Sequence, residues 1–278
     1  ITIAVVRAVR VNLTSGEQAR MTGRGTKNLD AYLKAIQANE QFNLFSRQGS
    51  VRAREFAKEA ISLDPKYAFP YAVLANAHML DVWFRFSESP EESMTLAEDA
   101  SHTALALDKA DPYVLSALAN VYVMQRQYER AIVSAERALE ISPGSARSQS
   151  TMATALLFAC RFHEAIPFYE EAIRQDPYPS GLVFRLLGSA YSAVGRHDEA
   201  LRVLQKALRV NPTDIFIHLG LAIVYVELGR EEEARAAAKE VLRLHPKFSL
   251  DYFAKALTFK DQSFVDRRIE RLRKAGLK

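Results

Sequence analysis

One feature constrains this chain more than any other: five columns of residues return in step. Small residues stand at Ala119, Ala153, Gly188 and Ala222, and Tyr122, Leu156, Tyr191 and Tyr225 follow three places later. Ala131, Ala165, Ala200 and Ala234 form a third column, and Ala138, Ala172, Ala207 and Val241 a fourth. Pro143, Pro177, Pro212 and Pro246 close the units, and every column advances by 34, 35 and 34 residues. A period of this size marks stacked supersecondary units, none of which can bury its apolar face alone.

Within a unit the spacing is helical. Leu115, Leu118 and Tyr122 line one face of a first helix, and Ile132, Ala135 and Leu139 one face of a second. Where two helices cross closely, only Ala or Gly lets the axes approach, and a neighbouring aromatic fills the space beside them. Proline cannot continue a helix and sets the turn into the next unit. Acidic residues open second helices, as in His197-Asp198-Glu199 and Glu231-Glu232-Glu233, where the positive dipole end favours them. Upstream, Ala53, Ala60 and Pro65 match the second half of a unit, and Ala75 and Ala97 belong to the next. Ala75 and Ala97 lie ten residues further apart than the spacing of Ala119 and Ala131 requires, so an insertion falls around DVWFRFSESPEE. Ser89-Pro90-Glu91-Glu92 in it reads as a helix start, with a capping serine, proline at N1 and glutamate at N3. No strand-period segment interrupts residues 28–275.

Composition narrows the field. In 278 residues there are only 11 Gly and 10 Pro, while 49% are hydrophobic, which excludes collagen, a disordered tail and a loop-rich secreted scaffold. A single cysteine, Cys160, excludes an internal disulfide framework and any multi-thiolate metal site. No apolar run is long enough to insert in a membrane. The net charge of +4 is unevenly placed: residues 1–27 and 266–278 each carry +4, which leaves −4 between them. A nucleic-acid groove needs its Lys and Arg along one face of the body, so no nucleic-acid partner is expected.

These columns resemble the tetratricopeptide repeat (TPR) over residues 28–247, about six units, with a degenerate first helix in AYLKAIQANEQFNLF. Arg126 and Cys160 stand where that family commonly has a turn glycine. The resemblance implies an all-α, right-handed α-solenoid of about six helix hairpins with a concave face built by first helices. Residues 248–278 then form an additional helix and a charged C-terminal capping helix with a buried stripe of Phe264, Ile269 and Leu272. Family positions two, five, nine and twelve of each first helix face the concave side. They place Asn76, Met79, Tyr113, Ser116, Asn120, Arg147, Ser150, Thr154, Arg185 and Ser189 in a peptide-binding groove, with amide and guanidinium donors for an extended peptide or carboxylate. The apolar lower end, Phe216 to Val226, is open to cover by residues 248–275. The family's clamp for chaperone tails is missing: Ala72 beside Asn76 breaks its first pair.

A second resemblance rests on RGTKNLDAYLKAIQ, the SPEES that ends the aromatic insertion, HPKFSLDYFAKALTFKD and the final RLRKAGL. Together they look like the carboxy-terminal TPR region of bacterial adenylate/guanylate cyclase-like proteins. That resemblance implies a parent that makes cyclic nucleotide, with residues 1–27 as the tail of a preceding segment and linker, in keeping with a chain that opens at Ile1. Two roles follow as expectations: a sensing or scaffolding module that binds a protein or peptide partner, or a homodimerisation module that pairs upstream catalytic domains. For the second, Ile1, Val5, Val9 and Leu13 at helical spacing offer residues 1–20 as a face for another copy, although Ile1, Ile3 and Val5 also fit a strand. The residues fix no compartment; a soluble chain in the cytoplasm is favoured, with the periplasm open if a membrane helix lies upstream.

No catalytic, cofactor or metal set is expected. His78 and His218 fall in aromatic columns, and His163 and His197 in turns without a ligand partner at i+3 or i+4. GRGTK at 23–27 is too short for a phosphate loop. Trp83, Phe84 and Phe86 in the insertion are either an exposed aromatic hook and secondary contact, or the seal between two lengthened helices.

Overall fold

The computed structural model describes residues 25–84 and 86–278, and the face expected at residues 1–20 lies outside them. Among the described residues every regular element is a helix. Six pairs come first: α1 Leu29–Phe42 with α2 Arg47–Leu63, α3 Ala68–Trp83 with α4 Pro90–Leu107, α5 Pro112–Met124 with α6 Tyr128–Ile141, α7 Ala146–Phe158 with α8 Phe162–Gln175, α9 Gly181–Ala193 with α10 His197–Val210, and α11 Ile215–Glu227 with α12 Glu231–Leu244. A short α13, Leu250–Ala256, and α14, Gln262–Lys274, follow. The chain divides into two compact units, one of residues up to 125 with 133–143, the other of 126–132 with 144–278.

In the first unit α1 lays Ala31, Ala35 and Ala38 against α2, whose Ala53, Ala57 and Ala60 are equally solvent-free. The supposedly degenerate first helix therefore has its own alanine seam. The ten-residue insertion is shared out: α3 and α4 run 16 and 18 residues against 13 and 14 in α5 and α6, and the rest lengthens the link between them. Trp83 packs beside Met79, Ala97 and Val121, while the Phe84 and Phe86 rings stack 5.7 Å apart against the alanine-rich core. All three aromatics are half-buried. Helix α4 starts at Pro90 as expected, but Ser89 makes no side-chain cap. Ser87 Oγ lies beside it, accepting from the Ser89 N–H and, at 2.7 Å, from the Ser93 hydroxyl.

In the second unit the small column is enforced by contact. A Cβ on Gly188 would sit 2.7 Å from Cγ of Leu204 on the partner helix α10. Gly195 and Gly229 close two of the inter-helix turns at φ +79° and +70°. Cys160 occupies the same left-handed region at φ 63°, as Arg126 does at 59° in the turn before α6, so both stand at glycine's place in the repeat. Phe264, Ile269 and Leu272 of α14 are buried, together with Val265.

Candidate functional site

The first helices carry the expected binding residues, and each unit treats them differently. In the first unit Met79, on α3, is buried toward α4, and the Tyr113 hydroxyl on α5 donates to Asn39 Oδ1 of α1 at 2.8 Å. Phe69 meets the Tyr113 ring edge-on at 4.6 Å. Ser116 is buried with its Oγ unpartnered. Asn120 stays half-buried, its Nδ2 3.4 Å from Asn76 Oδ1 on the preceding first helix, and Asn76 itself is buried. Thus Asn76 and Asn120 come together, and Tyr113 is turned inward to its own partner.

A second polar feature of this unit was not anticipated. Asp81, in the apolar run AHMLDVW, is buried, ion-paired with Arg54 and accepts from Ser50 Oγ at 2.6 Å. Burial raises the Asp81 pKa, against the pull of Ser50 and Arg54. Beside it His78 is held down to about 4 by burial, then by Arg54 and Lys58. Both line a pocket of about 320 Å³ with Arg47, Phe86, Glu88 and Glu92. Its buried charge is already matched by Arg54, so it offers no vacant ligand set. The signal in the sequence was a lone aspartate among apolar residues, six places after Ala75, the small residue of its unit. At the N-cap of α5, Asp111 accepts from the N–H groups of Tyr113 and Val114; burial still lifts its pKa to about 6.

In the second unit Arg147 and Ser150 are half-buried on α7, and Thr154 is buried with its hydroxyl 3.0 Å from that of Tyr169. Arg185 is committed elsewhere. Its guanidinium pairs with Asp214, the N-cap residue of α11, at 3.5 Å and lies 5.2 Å from the centre of the Phe216 ring. Burial lowers its pKa, with Asp214 opposing. Ser189, one turn on, accepts from Arg268 of α14 at 3.2 Å. Further along, Arg271 pairs with Glu227, and Phe253 lies 6.2 Å from Phe216. The C-terminal helices therefore meet the apolar end at Phe216, the cover that the sequence left open, and reach Ser189, which was not expected.

The segment before α14 runs without helix along the turns of α7. Phe259 stacks on Phe158 at 4.8 Å, and Phe264 lies 4.6 Å from Phe162. Main-chain groups make most of the other contacts. Arg126 donates to Leu257 O and Phe259 O, Tyr128 Oη to Thr258 O, and Lys260 N–H to Phe158 O. The Asp261 N–H points at Cys160 Sγ, 3.4 Å away, and burial raises that thiol's pKa. None of these contacts was read from sequence; the available signal was Arg126 and Cys160 in place of turn glycines. Among the described residues no three His, Cys, Asp or Glu side chains are grouped to hold a metal ion, and no helix is long and apolar enough to cross a membrane.

Comparison with known proteins agrees with this architecture. Family profiles described as tetratricopeptide repeat match residues 112–145, 150–209 and 191–257. A Rhizobium meliloti (strain 1021) protein named "Putative adenylate cyclase 3" is 31% identical over 131 residues, 47% of this chain and 22% of the relative. The "Small glutamine-rich tetratricopeptide repeat-containing protein 2" of Mycosarcoma maydis is 30% identical over 115 residues, 41% of this chain and 32% of that protein. The chain thus spans a third or less of either relative's length. Among solved structures, the APC/C hetero-tetramer Cut9-Hcn1 shares the fold at TM-score 0.61 and 16% identity, covering 82% of this chain and 46% of that one. Pseudomonas aeruginosa pilF does so at 0.53 and 18%, covering 79% and 96%. Paired helices with alanine seams, the 34-residue period and these matches have one reading: the chain belongs to the tetratricopeptide repeat family.

Proposed function

We propose that this chain is a non-catalytic interaction module that reads an extended partner segment along its first helices. The observation that carries the reading is the amide pair Asn76 and Asn120, from equivalent positions of consecutive first helices, with Asn120 half-buried. A carboxamide offers one acceptor and two donors, the same complement that a peptide backbone needs in return. Arg147 and Ser150 extend the reading to α7 of the second unit as a separate half-buried polar pair. In a longer protein the module serves as the sensing or scaffolding part of a cyclase-like signalling chain, a reading supported by likeness to the Rhizobium protein over 47% of this chain. The dimerisation alternative depends on residues 1–20 and is decided by light scattering at high micromolar concentration, where a strict monomer excludes it.

The test is an array of ten-residue peptides. The wild-type chain is expected to bind a definable subset, and Asn120→Ala to lose at least tenfold in affinity with its melting temperature kept within a few degrees. Binding that ignores Asn120→Ala removes the amide pair from the mechanism.

A further inference from the structure

We infer that residues 257–261 are a displaceable in-cis ligand, held in a peptide-reading site of the second unit that a partner segment can take over. This rests on the peptide-binding reading above and extends it to the turn edge of α7. The contacts that hold the segment are those any extended peptide could make. Arg126 and Tyr128 donate to three successive carbonyls, Leu257, Thr258 and Phe259, and Phe158 O accepts from the next N–H. Main-chain recognition of this kind carries affinity without side-chain preference, and specificity falls to whatever fills the side-chain pocket. Here that is Phe259, the only buried side chain between residues 254 and 263. The Lys260–Glu129 ion pair beside it is solvent-exposed and holds little.

A second observation is independent of these bonds. Arg126 and Cys160, both left-handed although neither is glycine, are the two turn residues that touch this segment. The equivalent turns at residues 195 and 229 use glycine for the same conformation. Strain kept where glycine would remove it marks a position whose side chain is needed. Arg126 supplies the guanidinium that reads two carbonyls. The partner chemistry follows: an extended segment with one aromatic residue for the Phe158 face. Helix α14, anchored by its own buried stripe, stays in place while the segment before it peels away.

Cys160, the chain's sole cysteine, is the reporter, since its sulfur lies under the Asp261 N–H. Thiol labelling of the full chain is measured alongside helical melting by circular dichroism, with a fluorescent peptide of residues 255–264, KALTFKDQSF, added in trans. Phe259→Ala is expected to speed Cys160 labelling at least tenfold and to bind the peptide, which restores protection. The exposed change Lys260→Glu speeds labelling a few-fold without altering the melt. The wild type binds the peptide at least tenfold more weakly than Phe259→Ala, and a peptide with alanine at the position of Phe259 binds neither. The inference is overturned if labelling is unchanged in both variants, if it rises only where the helices melt, or if the peptide fails to bind Phe259→Ala. The peptide is the chain's own, so failure here leaves the Asn120 array result standing, and the reverse.

Discussion

Leu204 tests how the small column works at the scale of single atoms. Two glycines of neighbouring first helices face it, yet a Cβ meets different parts of the side chain. At Gly188 it would lie 2.7 Å from Cγ, close to the α10 backbone and unable to swing aside; at Gly220 it would lie 3.1 Å from Cδ2, a free end. Gly188→Ala is therefore expected to destabilise by about 1–3 kcal/mol, the usual cost of overpacking. Gly220→Ala should be within about 0.5 kcal/mol of wild type, because the better helix propensity of alanine offsets a small rotation of Leu204. Chemical denaturation of both variants checks the contrast, and equal costs would show that Leu204 is not the determinant. Arg185 poses a different question. Its charge is buried opposite Asp214, so Arg185→Ala leaves an uncompensated carboxylate and should cost about 3–5 kcal/mol, whereas Arg185→Met with Asp214→Asn should recover most of that. Charge reversal at Arg185 is thus a folding variant and does not probe partner binding.

Helix ends show where local sequence rules stop being sufficient. Ser89 has the residue type, the following proline and the glutamate of a capping motif, and the helix begins where those rules put it. The hydroxyl nevertheless forms no cap, and the Ser89 N–H goes to Ser87 Oγ. Ser89→Ala should change stability by only a few tenths of a kcal/mol, against about 1 kcal/mol for Asp111→Ala, whose carboxylate accepts from two N–H groups. Thermal melts of the pair discriminate; equal losses would mean that Ser89 caps in solution. The helix pairs themselves were legible because period and small columns are local patterns imposed by close packing. The path of residues 257–274 was not, since its partners lie about 80–130 positions away and no periodic signal encodes them. Even so, Arg185 and Asp214 could have been paired from sequence, as one faces inward from a first helix and the other opens the next.

At the scale of the whole chain, the candidate groove was half legible. Asn76 and Asn120 meet, whereas Arg185 is paired with the cap of the next first helix and Ser189 is taken by Arg268, a partner that only tertiary structure supplies. The stability of the molecule in mild acid depends on similar long-range burial. His78 titrates near 4 when folded and 6.5 when unfolded, so the unfolded chain binds more protons between those values and stability falls as pH drops through them. Asp111 titrates near 6 when folded and 3.8 when unfolded, so there the folded chain binds more protons and stability falls as pH rises. Each effect amounts to about 3 kcal/mol at full extent. His78→Gln should make the chain less acid-sensitive and Asp111→Asn should flatten the loss on the alkaline side, as read by urea midpoints from pH 4 to 7. No change in the pH profile in either case would place that side chain in water. A nearly level plot of midpoint against acidity would thus not mean that nothing titrates: it is what two opposed protonations look like when summed, and changing one residue would tilt it.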